Sequence, residues 1–463
     1  MPAIQSHQET FRDPAGSLRI VDDRVLRRVN PSQAGAALRF LQSPLAQEWV
    51  RRGNLVETHF LGEENGEVTL EHPRIFFPSY PWEWTASAWI AAAHLTLDLC
   101  ESLLGQGFIL KDATPLNVLF RGTQPVFVDV LSVEERDPES PLWLAYGQFV
   151  RTFLLPLIAN KYLGWPLTAS IHKRDGYEPA DLAPYLGRWR RWREPFRSLV
   201  TLPLMLEGKQ GQNTDATLKV RQQPSVAMQV LRRNLQALRN HVRRLEPADQ
   251  QTRWRSYATS AEHYSADDHE RKRAFVREAL TTTQPHHVLD LGGNTGVYSQ
   301  IAAECGAEVI SWDTDAGATE QHWREAQRLK LPSLPLIANP ARPTPPVGWR
   351  NAESLGLLER ARGRFDCVMM LGFIHHLLLA EQIPLPEIAR HLRELTTKWA
   401  IVEWVPGQDP RFRDLLRGRD ALYGHLDEAA FRASIEPHFS EMRRTPLPNG
   451  RVLFLLQASR FPE

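Results

Sequence analysis

The sequence predicts a two-part α/β protein, in which a doubly wound sheet with helices on both faces follows an α+β N-terminal region. Three observations predict this class. A buried strand, a glycine-rich turn and the start of a helix follow one another over residues 288–303. An apolar strand at 308–313 ends in an acidic residue. Two later apolar runs, 365–371 and 399–405, have the length of buried strands. Strands alternating with helices are typical of α/β sheets.

The glycine-rich turn has the pattern of a ligand-binding loop. Gly292, Gly293 and Gly296 allow a tight turn and a close approach to a ligand, and the helix that follows points its first amides towards that ligand. Asp290 would repel a pyrophosphate and suits an ammonium-bearing ligand. Asn294 occupies the middle position, where it tolerates a left-handed backbone. The pattern therefore favours a cationic ligand over a dinucleotide.

The stretch Asp290–Gly296, which reads D-x-G-x-N-x-G, resembles the first motif of class I S-adenosylmethionine-dependent methyltransferases. Asp313, at the end of the second strand, matches the acid with which such enzymes hold the ribose hydroxyls of the cofactor. The resemblance covers the C-terminal part, residues 251–463. It implies a Rossmann-like methyltransferase sheet, with S-adenosylmethionine as the cofactor.

Three further residues are candidates for holding the cofactor. Asn339 follows the third strand, where ligands bind in open α/β sheets, and could contact adenine. Tyr264 and Lys272 lie on the approach segment that, in this family, covers the methionine end of the cofactor. Lys272 could pair with the cofactor carboxylate. Ordinary surface packing is the alternative for both approach residues.

The candidate catalytic residues follow the fourth and fifth strands. His375 and His376 come directly after the fourth strand, which faces the methyl group in this family, and Glu403 ends the fifth. Histidine suits a general base near neutral pH, and Glu403 could orient an acceptor hydroxyl. The sequence does not decide which histidine faces the site, and either could cap the following helix or pack in the core.

Asn294, the loop at Gly348–Trp349 and the run His375–Leu377 together resemble bacterial nodulation-related methyltransferases. This resemblance implies O-methylation of a small-molecule or saccharide acceptor. The alternatives are a non-catalytic protein that keeps the cofactor fold, and methylation of RNA or protein.

The N-terminal part contains a second motif. Asp112–Asn117 reads D-x-x-P-x-N and is followed by a strand, a turn and a strand that ends at Asp129. This arrangement resembles the protein-kinase-like and aminoglycoside-phosphotransferase-like fold, which implies that Asp112 positions a hydroxyl while Asn117 and Asp129 hold magnesium. Leu110 replaces the usual histidine, and no glycine follows Asp129. We interpret the region as a degenerate kinase-like domain that aids acceptor recognition; the alternatives are an unrelated helical domain and an active phosphotransferase requiring Mg-ATP.

Composition shifts predict three segments: a kinase-like or helical accessory domain over 1–206, a linker with a bridging basic helix over 207–250, and the methyltransferase domain over 251–463. Residues 186–193 interleave arginine with tryptophan. We expect them to form a helix whose tryptophans pack inward while the arginines stay solvated, although stacking on nucleic acid bases is the alternative.

Overall charge and cysteine usage limit the remaining partners. The chain has 55 Lys and Arg residues against 54 Asp and Glu, so no bulk charge favours nucleic acid or an anionic membrane as a partner. Three cysteines without metal-ligand spacing predict buried thiols in a reducing compartment and no metal site. No secretory signal and no long apolar run is visible, so we expect a cytoplasmic protein.

Overall fold

The computed structural model describes residues 10–21, 24–210, 222–247 and 266–459. The chain divides into two compact units, Met1–Phe120 with Gln124–Ala248, and Arg121–Thr123 with Asp249–Glu463. No helix within the described ranges is both long enough and apolar enough to cross a membrane.

The first unit begins with a four-stranded antiparallel sheet in the order β1-β2-β4-β3. Two short antiparallel pairs follow, β5 with β8 and β6 with β7. The strands of this unit are β1 Gly16–Val21, β2 Arg24–Val29, β3 His59–Glu64, β4 Glu67–His72, β5 Phe108–Leu110, β6 Val118–Arg121, β7 Gln124–Phe127 and β8 Val133–Glu135.

The helices of the first unit include two long ones that pack on each other, α3 and α8. The side chain of Thr85 caps the start of α3 by accepting a hydrogen bond from the amide of Ala88 at 3.2 Å. The helices of this unit are α1 Pro31–Leu41, α2 Pro44–Arg51, α3 Ala86–Leu104, α4 Tyr146–Phe149, α5 Leu155–Leu163, α6 Pro179–Leu182, α7 Leu202–Gln210 and α8 Pro224–Leu245.

Helix α8 is the basic helix that the sequence predicts as a bridge between domains. Its buried side chains recur at helical spacing and form one apolar stripe, Leu231, Leu235, Leu238, Val242 and Leu245. Arg239 forms ion pairs with Asp98 and with Glu101, both on α3. These contacts place α8 within the first unit, which includes residues as far as Ala248. Residues 211–221 and 248–250 of the predicted linker segment lie outside the described residues.

The tryptophans of residues 186–193 do not pack inward as we expected. Residues Arg190–Trp192 form a single 3₁₀ turn instead of a longer helix. The side chain of Trp189 is 86% exposed and that of Trp192 is 50% exposed. The prediction was wrong because a single turn has no apolar face, and the neighbouring core is filled by Leu186 and Phe196.

The second unit is built on one seven-stranded mixed sheet in the order β11-β10-β9-β12-β13-β15-β14. The strands from β9 to β13 run parallel, and β15 is antiparallel to both of its neighbours. These strands are β9 His287–Leu291, β10 Glu308–Asp313, β11 Ser333–Ile337, β12 Phe365–Met370, β13 Thr396–Trp404, β14 Phe439–Pro446 and β15 Val452–Ala458. The α/β class is confirmed.

Helices cover both faces of this sheet. Helices α9 and α10 pack on one set of alternating strand residues, which includes Val288, Met369 and Ile401. The alternate residues Leu289 and Val402 are also fully buried, and α13 packs against β12, β13 and α16. The helices are α9 Ala266–Thr283, α10 Val297–Glu304, α11 Ala316–Leu329, α12 Leu357–Ala361, α13 Leu385–Leu395, α14 Pro410–Leu416, α15 Asp420–Tyr423 and α16 Glu428–Ile435.

If α8 stabilises the first unit, Leu238→Ala will lower its stability. Leu238 is fully buried in the α8 stripe, and such a truncation costs about 2–5 kcal/mol because it leaves a cavity. Denaturant unfolding followed by circular dichroism measures the change. Arg232→Ala, at an exposed position of the same helix, should change stability little. Equal effects of the two substitutions would contradict the packing.

Candidate functional site

The carboxyl ends of the parallel strands meet at one edge of the second sheet, and most predicted site residues lie there. Open α/β sheets bind ligands at this edge. It brings together the glycine turn after β9, the acid that ends β10, the loop after β12 and the end of β13.

The glycine turn lies against side chains from other elements. A side chain at Gly293 would collide with the hydroxyl of Ser311, and one at Gly296 would collide with the imidazole of His322. Gly296 also has a left-handed φ of 85°. Both positions therefore exclude larger residues through packing. Asn294 adopts φ 48°, as predicted from its tolerance of this conformation.

Asp313 lies directly beside the glycine turn. One carboxylate oxygen accepts a hydrogen bond from the amide of Asn294 at 2.8 Å, and the other accepts from the amide of Asp315 at 2.8 Å. Burial raises the pKa of Asp313, while these amides act in the opposite direction. Each carboxylate oxygen has a second lone pair. The carboxylate can thus hold the turn and still accept ligand hydroxyls.

Asp290 points into the protein. Its side chain is 2% exposed and accepts a hydrogen bond from the hydroxyl of Ser299 at 2.6 Å. Burial raises the pKa of Asp290 to about 6. Because Ser299 lies on α10, this contact fixes the helix to the end of β9.

Four buried charged residues, Lys272, Glu403, Asp409 and Arg451, form a cluster that we call the buried charge cluster. None of their side chains is more than 6% exposed. The amine of Lys272 donates to Glu403 Oε2 at 2.6 Å. Arg451 Nη1 lies 3.6 Å from Glu403 Oε1, and Arg451 Nε donates to Asp409 Oδ2 at 2.7 Å. Two cations and two anions balance within the cluster.

The predicted roles of Lys272 and Glu403 have to be reconsidered, because both residues belong to this cluster. Lys272 was predicted to meet the cofactor carboxylate and Glu403 an acceptor hydroxyl, yet each is the other's nearest charge. Burial lowers the pKa of Lys272, but the Glu403 carboxylate outweighs burial and the pKa is raised. The amine also lies 4.6 Å from the ring centre of Tyr298. The amine of Lys272 is therefore protonated, and its position is fixed by Glu403 and Tyr298.

Sequence reasoning did not find Arg451. It directly precedes β15, whose antiparallel register places Val452 opposite Trp404 and Leu453 opposite Glu403. No local motif marks the position, because the partner strand is distant in the sequence. Only the pairing of β13 with β15 would have revealed that Arg451 lies close to Glu403.

The two histidines have different environments. His375 is 3% exposed, and its Nδ1 has no hydrogen-bond partner among the described residues. Burial, followed by the charges of His376 and Arg451, lowers the pKa of His375 to about 3. His376 is exposed and begins a π-helical segment, His376–Ala380. Its ring stacks near that of Phe373 with 6.2 Å between ring centres.

Phe373 connects the histidines with the glycine turn. A side chain at Gly292 would lie 2.6 Å from the ring of Phe373, so this ring covers the turn. His376 stacks near the same ring, so it neighbours the residue that covers the turn. The sequence analysis did not select Phe373, because an aromatic residue after a strand carries no distinctive signal.

The two remaining candidates for cofactor binding are Asn339 and Tyr264. The Asn339 side-chain oxygen accepts hydrogen bonds from the amides of Ala341 at 2.9 Å and Arg342 at 3.2 Å, and its NH₂ group has no hydrogen-bond partner among the described residues. Tyr264 lies outside the described residues. Within the described ranges, no group of three or more His, Cys, Asp or Glu side chains is placed to hold a metal ion.

In the first unit, the three kinase-like residues are held by other protein groups. Arg27 donates to one oxygen of Asp129 at 2.7 Å, and the hydroxyl of Ser132 donates to the other at 2.5 Å. The same hydroxyl accepts from the amide of Asn117 at 3.0 Å. Asp112 accepts from Gln148 at 3.3 Å, and burial raises its pKa. A guanidinium thus neutralises the predicted magnesium ligand Asp129.

The raised pKa of Asp290 predicts a pH dependence of stability. The unfolded chain releases this proton near pH 4 and the folded protein at about pH 6. Because the folded state binds the proton more tightly, the contribution of Asp290 to stability falls as the pH rises between these values. Asp290→Asn removes the titration, so the variant should gain stability relative to wild type, on the order of 3 kcal/mol, between about pH 4 and pH 7.

Urea unfolding at a series of pH values measures this difference. Asp366→Asn is the matched control, because amides of His286 and His287 bond to Asp366 and its pKa is lowered despite some burial. Because the lowered pKa of Asp366 moves its titration below about pH 4, the stability difference between that variant and wild type should stay nearly constant from pH 4 to pH 7. A pH-independent difference for Asp290→Asn would contradict the assignment.

Comparison with known proteins extends these observations. No family model matches the sequence. Among solved structures, the N-methyltransferase NodS from Bradyrhizobium japonicum WM9 is 9% identical, with a TM-score of 0.31 over 42% of this chain and 99% of that chain. Magnesium protoporphyrin IX methyltransferase (ChlM) from Synechocystis PCC 6803 is 18% identical, with a TM-score of 0.31 over 42% and 84%. The bifunctional kinase-methyltransferase WbdD is 17% identical, with a TM-score of 0.31 over 42% and 40%. Likenesses of this strength carry no conclusion about the reaction.

The sequence match to a curated protein is much more extensive. Nodulation protein NoeA from Rhizobium meliloti (strain 1021) is 30% identical over 465 residues, which cover 97% of this chain and 95% of that protein. Both units of the structure are therefore shared with that relative, and the chain belongs to the nodulation protein NoeA family.

Proposed function

We propose that the second unit is an S-adenosylmethionine-dependent methyltransferase. The observation that carries this proposal is the contact between Asp313 and the amide of Asn294 at 2.8 Å. It puts an acid with free lone pairs beside a glycine turn, at the carboxyl edge of a seven-stranded sheet. The D-x-G-x-N-x-G motif and the sheet order support the same cofactor.

The residues present fit this cofactor. Asp313 would accept hydrogen bonds from the ribose hydroxyls, and the unused NH₂ group of Asn339 would face adenine. Gly292, Gly293 and Asn294 would form the backbone turn that contacts the cofactor. Lys272 and Tyr264 remain candidates for the methionine end, with Lys272 held in place by Glu403. When bound, the cofactor supplies a methyl group on a sulfonium, which an aligned nucleophile can displace.

We further propose an oxygen acceptor on a small molecule or saccharide, with His376 as the general base. An acceptor hydroxyl must lose its proton as the new bond forms. His376 is exposed and stacks on Phe373, whose ring covers the glycine turn. Burial lowers the pKa of both histidines, that of His375 to about 3, so solvent exposure and the stacking on Phe373 are what favour His376 as the base. Glu403 would act by holding Lys272 and Arg451 in position.

For the first unit we propose acceptor recognition by a degenerate kinase-like domain. The pairing of Asp129 with Arg27 and Ser132 favours this reading over an active phosphotransferase, because metal binding would have to displace a guanidinium. An active Mg-ATP site and a non-catalytic cofactor-binding protein remain the alternatives.

Calorimetric titration with S-adenosylmethionine tests the cofactor assignment. We expect wild type to bind and Asp313→Asn to bind about tenfold more weakly or worse, since the amide keeps the shape but loses an acceptor for the ribose hydroxyls. Glu325→Ala, an acid on α11 that pairs with Arg328, should bind like wild type. No binding by wild type, or equal binding by Asp313→Asn, would refute the assignment.

A second experiment separates the two histidines. Transfer of labelled methyl groups to a panel of mono- and oligosaccharides should fall about 10²-fold or more in His376→Ala, since general bases contribute that much, while cofactor affinity stays unchanged. His375→Ala should mainly lower thermal stability, because it opens a cavity at a buried position. A reversed pattern would transfer the role of base to His375.

A further inference from the structure

We infer that the first unit carries a docking surface for anionic lipid bilayers. The surface, which we call the Trp189 surface, consists of residues 185–206. Its six exposed apolar side chains are Tyr185 at 62%, Trp189 at 86%, Trp192 at 50%, Leu202 at 43%, Met205 at 49% and Leu206 at 60%. The inference does not rest on the proposed methyl transfer.

The exposure of these tryptophans is fixed by the surrounding structure. The hydroxyl of Thr201 donates to the carbonyl of Arg191 at 2.7 Å, which joins the turn to the start of α7. Arg190 donates to the carbonyl of Tyr162 at 2.9 Å and lies over the ring of Phe196 at 5.2 Å. The turn is therefore anchored through Arg190 and Arg191, and the side chain of Trp189 beside these anchors is 86% exposed.

The apolar side chains of α7 extend this surface. Leu202, Met205 and Leu206 follow the i, i+3, i+4 spacing of one helix face, and all three are exposed. The segment that joins α7 to the tryptophan turn, Arg197–Thr201, contacts both elements. Aromatic and aliphatic side chains are thus displayed on neighbouring elements.

The charge of the same stretch is strongly positive. It contains five arginines and one glutamate, Glu194. Glu194 is paired with Arg197 at 2.9 Å. Among the described residues, no carboxylate forms an ion pair with the other four arginines, Arg188, Arg190, Arg191 and Arg193. The nearly equal numbers of acidic and basic residues in the whole chain conceal this local excess.

The combination of side chains selects an anionic bilayer surface as the occupant. Tryptophan prefers the membrane–water interface, aliphatic side chains enter the acyl boundary, and arginine binds lipid phosphates. A single-stranded nucleic acid would use the tryptophans and arginines, but it has no partner for Leu202, Met205 and Leu206. Charge and apolar character together therefore favour lipid.

Vesicle flotation of the full chain tests this surface. We expect the protein to float with vesicles of phosphatidylcholine and phosphatidylglycerol, but not with phosphatidylcholine alone, and to release as salt screens the charges. Trp189→Ser with Trp192→Ser should reduce binding about tenfold or more. Trp349→Ser, at a 65% exposed tryptophan of the second unit, is the matched control and should bind like wild type.

Charge reversal gives an independent variant. Arg188→Glu with Arg193→Glu should weaken binding to anionic vesicles, and an unchanged melting temperature shows that the fold is intact. The inference is overturned if wild type does not float, or if the tryptophan variant floats as well as wild type. It is also overturned if the variants instead lose affinity for single-stranded RNA, or change the oligomeric state in light scattering.

Discussion

The backbone between β9 and α10 must turn in a space that other side chains already occupy, and the candidate site of the second unit depends on this constraint. Ser311 lies against Gly293 and His322 against Gly296, so neither position accepts a Cβ. The amide of Asn294 is fixed by Asp313, and Asp290 fixes Ser299 on α10. Two strands and one helix are positioned together by these contacts. A ligand at this turn would meet a backbone that is already ordered.

Local patterns in the sequence were sufficient for this part of the fold. The strand, turn and helix around the glycines and the acid that ends β10 all follow from residues close together in the chain, and the structure has them in that order. Contacts between distant segments were not predictable in the same way. Arg451 reaches Glu403 only because β15 pairs with β13. The exposure of Trp189 depends on which neighbours fill the core, and residue spacing does not reveal this.

The first unit shows that a motif can be present while its residues have other partners. Asp112, Asn117 and Asp129 have the spacing of a catalytic loop, but Arg27, which is 102 residues away from Asp129 in the sequence, neutralises that carboxylate. Ser132 connects Asn117 to Asp129 through two hydrogen bonds. The carboxylate and the amide thereby contribute to the internal order of the unit.

The buried charge cluster limits which substitutions this chain can accept. Loss of Lys272 alone would leave Glu403, which has no solvent exposure, without its nearest cation, and breaking a buried pair in this way costs about 3–5 kcal/mol. Replacing all of the charges by apolar residues of similar volume can be nearly neutral. Single substitutions are thus disfavoured while concerted ones are permitted. Substitutions in helix α9, in strand β13 and at the residue before β15 are consequently coupled, although these positions are far apart in the sequence.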